Sequence, residues 1–257
     1  MRIVVKIGTS TLAHPSGHLN IRRVEDLCKI MSDIKNAGHE VILVSSGAIG
    51  MGVGKLGLRQ RPTDIPSKQA AAAVGQCELM YTYDKLFSEY HHTVAQLLIT
   101  GDDTANEKRH TNFINTLNRL LELNTLPIIN ENDTIATDEI VIGDNDTLAA
   151  IVAQSVQADL LVLLSDIDGL YTADPHKDEN AVLIHEVNKV DDKILSLAGV
   201  SSTTQGTGGM VTKLRAAEIC LSCGCDMVIA NGARPENLYD ILDGKAVGTR
   251  FTEKCLC

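Results

Sequence analysis

Between two apolar segments stands Ile142-Gly143-Asp144-Asn145-Asp146-Thr147, a glycine followed by two carboxylates that flank an amide. The run from Thr147 to Ala153 is a strong helix former, so Asp144, Asn145 and Asp146 fall at a helix N-terminus, where Asx side chains cap free backbone N–H groups. One cap uses one such residue. Three in a row from a tight turn exceed that need and read as a working site.

Two other segments could bring anion-binding groups to this turn. Lys6 follows the β-branched run Ile3-Val4-Val5 and precedes the small-residue loop Gly8-Thr9-Ser10. A lysine alone at a strand end is a surface residue, but the carboxyl end of a buried strand is also where open α/β sheets bind ligands. Gly206-Thr207-Gly208-Gly209-Met210-Val211-Thr212-Lys213 opens a helix running to Ser222. Glycines at a helix N-terminus let backbone N–H groups approach an anion, and the helix dipole favours negative charge there. Lys213 stands on the first turn. Two lysines and a helix N-terminus suit a phosphate-bearing ligand. No histidine base lies in any of these motifs.

The elements that must position these groups alternate. Strand Ile3–Val5, a helix over 21–37 with Val24, Leu27, Cys28, Met31 and Ile34 at helical spacing, and strand Glu40–Val44 form a βαβ unit with a parallel sheet. A small-residue loop, Ser45-Ser46-Gly47-Ala48, follows. An Ala-rich helix is expected over 67–87, with Ala70, Ala73, Val74, Cys77 and Met80 on one face. Strand 94–99, helix 111–123 and strand 126–129 lead to the polar cluster Asn130-Glu131-Asn132-Asp133. A short edge strand over 139–142 enters the opening turn, and helix 146–156 leaves it. Strand 160–164, the turn Ser165-Asp166-Ile167-Asp168-Gly169, a short helix over 191–197 and strands 227–230 and 249–251 complete the order. At least six strands alternate with helices and polar clusters gather at their carboxyl ends. This predicts one three-layer α/β/α sandwich with a mainly parallel central sheet, a single domain over 1–257.

Composition narrows the function further. Aromatic residues make up 3% of the 257 residues and tryptophan is absent, which argues against base-stacking platforms. The formal net charge of −10 argues against a nucleic-acid or anionic-membrane surface. No signal peptide and no apolar run of membrane-spanning length is visible. The seven scattered cysteines read as reduced cytosolic thiols, so a cytoplasmic protein is expected. Neither Cys220, Cys223 and Cys225 nor Cys255 and Cys257 has a second ligand pair at zinc-site spacing. Gly52-Val53-Gly54-Lys55-Leu56-Gly57 matches G-x-G-x-x-G formally, but it does not follow its strand directly and Pro62 and Pro66 break the helix it would open. It also fails as a P-loop, with Ile49 in place of the first glycine and Leu56 in place of Ser/Thr. A mobile lid or a subunit contact is the expected use.

The motifs Val5-Lys6-Ile7-Gly8-Thr9-Ser10, Val44-Ser45-Ser46-Gly47-Ala48-Ile49, Ile129-Asn130-Glu131-Asn132-Asp133, Gly143-Asp144-Asn145-Asp146, Leu164-Ser165-Asp166-Ile167-Asp168-Gly169-Leu170-Tyr171 and Gly206 to Lys213 together resemble the glutamate 5-kinase branch of the amino-acid kinase family. They span almost the whole chain in the family's order. The resemblance implies ATP-dependent phosphorylation of the γ-carboxylate of L-glutamate, the first step of proline biosynthesis. It implies Lys6 and Lys213 as the lysines that hold the phosphoryl group and Asp146 as the aspartate that organises them. Ser46, Asp133 and Asn145 match glutamate-binding positions. Lys6, Ser165, Asp166, Thr207, Gly208, Gly209, Met210, Val211, Thr212 and Lys213 match nucleotide-binding ones. ATP with Mg2+, proline as feedback inhibitor, a homo-oligomer and hand-over of the product to glutamyl phosphate reductase are further implications. Many members carry a C-terminal RNA-binding-like PUA domain. This chain ends near Cys257 without one, so the form lacking it is expected, with no inferred RNA contact and the usual tetramer in doubt.

The chemistry reaches the same roles separately. A glutamate side-chain carboxylate, with an ordinary pKa of about 4.3, is already ionised at neutral pH and attacks without a general base. Catalysis then comes from positioning and charge neutralisation, and Asp146 serves as an orienter of lysines. Mg2+ accompanies ATP, held largely by phosphates. Two other readings stay open. Within enzymes, the acceptor could be aspartate, N-acetylglutamate or UMP, although Asn130 to Asp133 with Asn145 favour a free α-amino acid. Outside enzymes, the fold could serve as an amino-acid sensor, against which the presence of Lys6, Asp146 and Lys213 together argues.

Overall fold

The computed structural model describes residues 1–14, 18–135, 145–175, 177–198 and 209–253. In chain order they form β1 (Arg2–Ile7), α1 (Thr9–Leu12), α2 (Ile21–Asn36), β2 (Glu40–Ser45), α3 (Ala48–Lys55), α4 (Ile65–Ser88) and β3 (Val94–Ile99). Then come α5 (Gly101–Ala105), α6 (Glu107–Glu122), β4 (Leu126–Glu131), α7 (Asn145–Ser155), β5 (Leu160–Ser165) and β6 (Glu186–Val187). The chain continues with α8 (Asp192–Ala198), α9 (Met210–Ser222), β7 (Asp226–Asn231), α10 (Asn237–Leu242) and β8 (Thr249–Phe251). The expected edge strand over 139–142, the glycines at 206 and 208, and Cys255 and Cys257 lie outside the described residues. Among those described, no helix is long and apolar enough to cross a membrane.

The strands form one eight-stranded sheet in the order β3-β4-β2-β1-β5-β7-β8-β6. Every pairing is parallel except β7 with β8. β1 lies between β2 and β5, and the chain builds outward on one side of it before crossing to the other. That reversal opens a crevice at the strands' carboxyl ends.

Side-chain alternation sorts the strand residues into two cores. Ile3, Val5 and Ile7 pack with Val41, Leu43, Val162 and Leu164 against α2 and α4, through Leu27, Met31, Leu79 and Tyr83. Val4 packs with Ile42, Val44, Leu161 and Leu163 on the opposite side, against α6, α7 and α9, through Phe113, Leu148, Val152, Leu214 and Ala217. Helices thus cover both faces of the sheet, as near-continuous apolar strands require. The same two-residue period gives Lys6 the parity of Val4, and so directs it into the layer that holds α7 and α9.

Two expectations are corrected at α3 and α4. The glycine-rich stretch after β2, expected as a mobile lid or a subunit contact, is helix from Ala48 to Lys55 packed on α4: a Cβ on Gly52 would stand 1.8 Å from the carbonyl oxygen of Ala71, and one on Gly75 would stand 1.7 Å from that of Ala48. The glycines let the two helices touch backbone to backbone. The buried face of α4 is Ala71, Ala72, Gly75, Gln76, Leu79, Tyr83 and Phe87, whereas Ala70, Ala73 and Cys77 are exposed and Val74 and Met80 half-buried. Alanine rings the first half of this helix, so apolar periodicity does not choose a side. The approach of α3 does.

Gly75→Ala should therefore cost about 3 kcal/mol, the upper part of the usual range for overpacking. Gly50→Ala, whose Cβ would meet only Thr9 Cγ2 at 3.6 Å, should be neutral or slightly stabilising, as alanine is the better helix former. Denaturant unfolding of both variants checks this. Equal midpoints would show that the α3–α4 contact tolerates a methyl group.

Candidate active site

At the carboxyl end of the sheet one buried carboxylate joins three elements. Asp146 sits in the first turn of α7 with its side chain 1% exposed. Its Oδ1 lies 2.6 Å from Lys6 Nζ on β1, and its Oδ2 lies 2.9 Å from Lys213 Nζ on the first turn of α9. Both lysine side chains are nearly buried, at 11% and 6% exposure. The Thr212 hydroxyl donates to the Gly209 carbonyl at 2.8 Å and also lies 3.3 Å from Asp146 Oδ2. Burial alone would raise the Asp146 pKa, but the charges of Lys6 and then Lys213 outweigh it and hold the carboxyl below its ordinary range. The carboxylate is thus ionised at neutral pH, and the trio carries one positive charge in surplus.

Such a cluster is poor evidence of stability, because desolvating three charges offsets most of their attraction. Lys213 is also placed against the helix dipole, since α9 begins at Met210 and cations are disfavoured in a first turn. The N-cap is Gly209, extended at φ −74° and ψ −179°, with no side-chain cap. The Thr212 and Lys213 N–H groups donate to the Gly209 carbonyl, at 3.2 and 3.5 Å, whereas those of Met210 and Val211 have no partner among the described residues. A surplus cation, a glycine cap and uncapped amides are what a phosphate group would use.

Beside this trio lies a chain of amides. Asn145 Nδ2 donates to Ser46 Oγ at 2.7 Å and to Asn130 Oδ1 at 3.0 Å. Ser46 follows β2, where its own N–H donates to the Ile7 carbonyl at 3.1 Å and ties that loop to the end of β1. Asn130 Nδ2 donates to Gln76 Oε1 at 2.9 Å. Asp133 stands in the turn after β4. Burial raises its pKa, and the charge of Arg61 acts in the opposite direction.

The structure therefore brings Lys6, Asp146, Thr212 and Lys213 into one cluster and Ser46 and Asn145 into its neighbour, joined by the 145–146 peptide. Ser165 and Asp166 are set apart at the end of β5, where Ser165 Oγ donates to Asp166 Oδ1 at 3.1 Å and the Ser165 carbonyl accepts from Gly232 N–H at 2.7 Å. On α9, Met210 is buried and Val211 exposed. Thr207 and Gly208 lie outside the described residues. Gln76 was absent from the expected site. Its signal was available: a glutamine between Ala72 and Leu79, both buried, sits at helical spacing on an apolar face.

The amino acid kinase family model matches residues 1–231. A protein named glutamate 5-kinase from Clostridium perfringens (strain 13 / Type A) is 52% identical, over 98% of this chain and 96% of its own length. One of the same name from Clostridium acetobutylicum is 53% identical, over 98% of this chain and 95% of its length. Among solved structures, the product complex of T. acidophilum isopentenyl phosphate kinase superposes with a TM-score of 0.68 at 20% identity, over 98% of this chain and 100% of its own. Giardia lamblia carbamate kinase bound to AMP-PNP gives 0.71 at 18% identity, over 98% of each chain. At those identities the superpositions speak for the fold alone, and with the matched segment holding every residue of both clusters, the chain belongs to the amino acid kinase family.

Proposed function

We propose that this protein phosphorylates the γ-carboxylate of L-glutamate with ATP to give L-glutamyl 5-phosphate, the first step of proline biosynthesis. The observation that carries the reading is Asp146 held between Lys6 and Lys213 beside an Asn/Ser pocket. Relatives named glutamate 5-kinase at about half identity over nearly the whole chain support it.

The roles are those the family resemblance implies, and the geometry supports them. Asp146, with each oxygen on one ammonium group, orients the lysines and is not a base. Lys6 and Lys213 neutralise charge on the phosphoryl group as it passes from ATP to the acceptor carboxylate. The first amides of α9, those of Met210 and Val211, cradle the phosphates with Gly209 and Thr212, and the family resemblance adds Thr207, Gly208, Ser165 and Asp166 to the nucleotide-binding set. Ser46, Asn145 and Asp133 hold the amino acid, with Asp133 as partner of its ammonium group. Among the described residues no three His, Cys, Asp or Glu side chains form a metal-holding set. Mg2+ fits this chain as an ion carried on the nucleotide's phosphates, where it screens their charge. A mixed carboxylic–phosphoric anhydride is reactive in water, so hand-over to a reductase suits the product. Proline inhibition and a homo-oligomer rest on the family resemblance.

Hydroxylamine traps an acyl phosphate as a hydroxamate and leaves a phosphate ester untouched. Hydroxamate should form only with glutamate, ATP and Mg2+ together, and should vanish in Asp146→Ala. Aspartate should react poorly, since an error of about 1 Å in the nucleophile costs ~100-fold. ADP release with UMP and no hydroxamate from any amino acid would sink the proposal.

Lys213→Ala should lower kcat by about two to three orders of magnitude, the usual loss on removing one charge partner of a transition state. A drop under threefold at saturating substrates would make Lys213 a bystander.

Asp133 yields a pH test. Its folded pKa is raised, so its charge is lost, as pH falls, at a higher pH than an ordinary carboxylate near ~4. The KM for glutamate should therefore climb on acidification from neutral pH while the KM for ATP stays level. Asp133→Ala should start with a high glutamate KM and lose that pH dependence; identical pH profiles in both proteins would remove Asp133 from the ammonium site.

A further inference from the structure

The amides beside Asp146 have a direction that the hydrogen bonds impose. The backbone N–H of Glu131 donates to Asn130 Oδ1 at 2.9 Å, and a backbone N–H cannot exchange roles as a side-chain amide can. Asn130 Oδ1 is thereby the acceptor, so Asn145 must meet it with Nδ2. The other end of Asn130, Nδ2, must then find an acceptor, and Gln76 Oε1 supplies it at 2.9 Å. Asn145 Nδ2 spends its second proton on Ser46 Oγ.

This leaves two groups unspent. Asn145 Oδ1 is buried with no hydrogen-bond partner, and so is Gln76 Nε2 at the far end of the chain. A buried amide oxygen or N–H without a partner costs about 1–3 kcal/mol, so such groups call for an explanation. Turning either amide over does not help: it would set two donors face to face between Gln76 and Asn130, or two acceptors between Asn145 and Asn130. Gln76 is itself more than nine-tenths buried, on the face of α4 that Gly75 brings against α3.

We propose that Gln76 is a positioning residue for the amino-acid substrate: together with the Glu131 N–H it clamps Asn130 from two sides, and Asn130 in turn holds Asn145 with its carbonyl oxygen presented to the substrate. That oxygen is an acceptor and takes a donor, which in an α-amino acid is the ammonium group. Asn145 then shares the ammonium with Asp133, while Ser46, which accepts from Asn145, keeps its own hydroxyl proton for a substrate carboxylate. Gln76 touches no substrate and acts through two intervening amides. The inference rests on the glutamate kinase reading, and concerns how that substrate's head group is discriminated.

The test uses the full-length enzyme and two variants. Gln76→Met removes the acceptor at nearly constant volume, and Gln76→Asn keeps an amide too short to reach Asn130. Either one, if it folds, decides the matter. The expected result is a rise of about fivefold in the KM for L-glutamate, the worth of one neutral hydrogen bond, with kcat and the KM for ATP within twofold of wild type. Glutarate, which lacks the ammonium group, should compete with an unchanged inhibition constant. A glutamate KM within twofold of wild type overturns the proposal. So does a parallel rise in the glutamate KM, the ATP KM and the glutarate constant, which would mark general loosening of the pocket. Failure of the glutamate kinase reading shows separately, as absence of hydroxamate from the wild-type enzyme.

Discussion

The arrangement depends on keeping two ammonium groups close together where little water reaches them. Lys6 and Lys213 come from opposite halves of the chain and would repel each other if brought together alone. A single carboxylate between them, one oxygen to each, makes their proximity tolerable and leaves one positive charge over. Removing that carboxylate would leave two uncompensated buried cations, which costs more than the pair contributes when intact. Three elements must therefore meet at one point: the end of a central strand and the first turns of two helices in one layer.

This geometry suits an acceptor that is already an anion. A carboxylate brings its own charge to the attack and needs no proton removed, so the site can be built of cations and amides. Its difficulty is repulsion between the nucleophile and the nucleotide's phosphates. In the proposed reaction the surplus charge of the trio and the first amides of α9 would both act on that repulsion. In that proposed reaction the acceptor is recognised one residue away from the trio, by Asn145, which Asn130 braces, with Ser46 and Asp133.

The helix α4 lies on the face of the sheet opposite α7 and α9 and reaches the amide cluster through Gln76. Gly52 and Gly75 bring the two backbones into contact, and that contact turns Gln76 inward. The amide chain from Gln76 through Asn130 to Asn145 thus crosses from α4 past the end of β4 to α7. Packing between two helices and the polar cluster beside Asp146 are thus linked by three side chains.

Much of the fold and of the site was legible in the chain alone. Strand and helix order followed from apolar runs and from period, because parallel strands buried on both faces leave an uninterrupted β-branched signal, and α2 and α6 have sharply divided faces. Lys6, Asp146 and Lys213 were marked by local context: a strand end, a helix N-terminus and a glycine loop. Motif order tied them to one family. What the sequence could not contain was which side chains meet. Parity told that Lys6 shares a face with Val4, but only the sheet order β2-β1-β5 set α7 and α9 over that face. The buried face of α4 is not legible in sequence, because alanine on all sides carries no direction. Sequence does not show that the glycines after β2 sit in a helix crossing, because a glycine's lack of a side chain looks the same in a loop and in a tight packing of helices. Gln76 went unnoticed for a related reason: its role rests on a hydrogen bond fifty-four positions away in sequence, set by the backbone N–H of Glu131. Local composition determines elements, caps and charges; the direction of an amide is settled by partners that only the folded chain brings near.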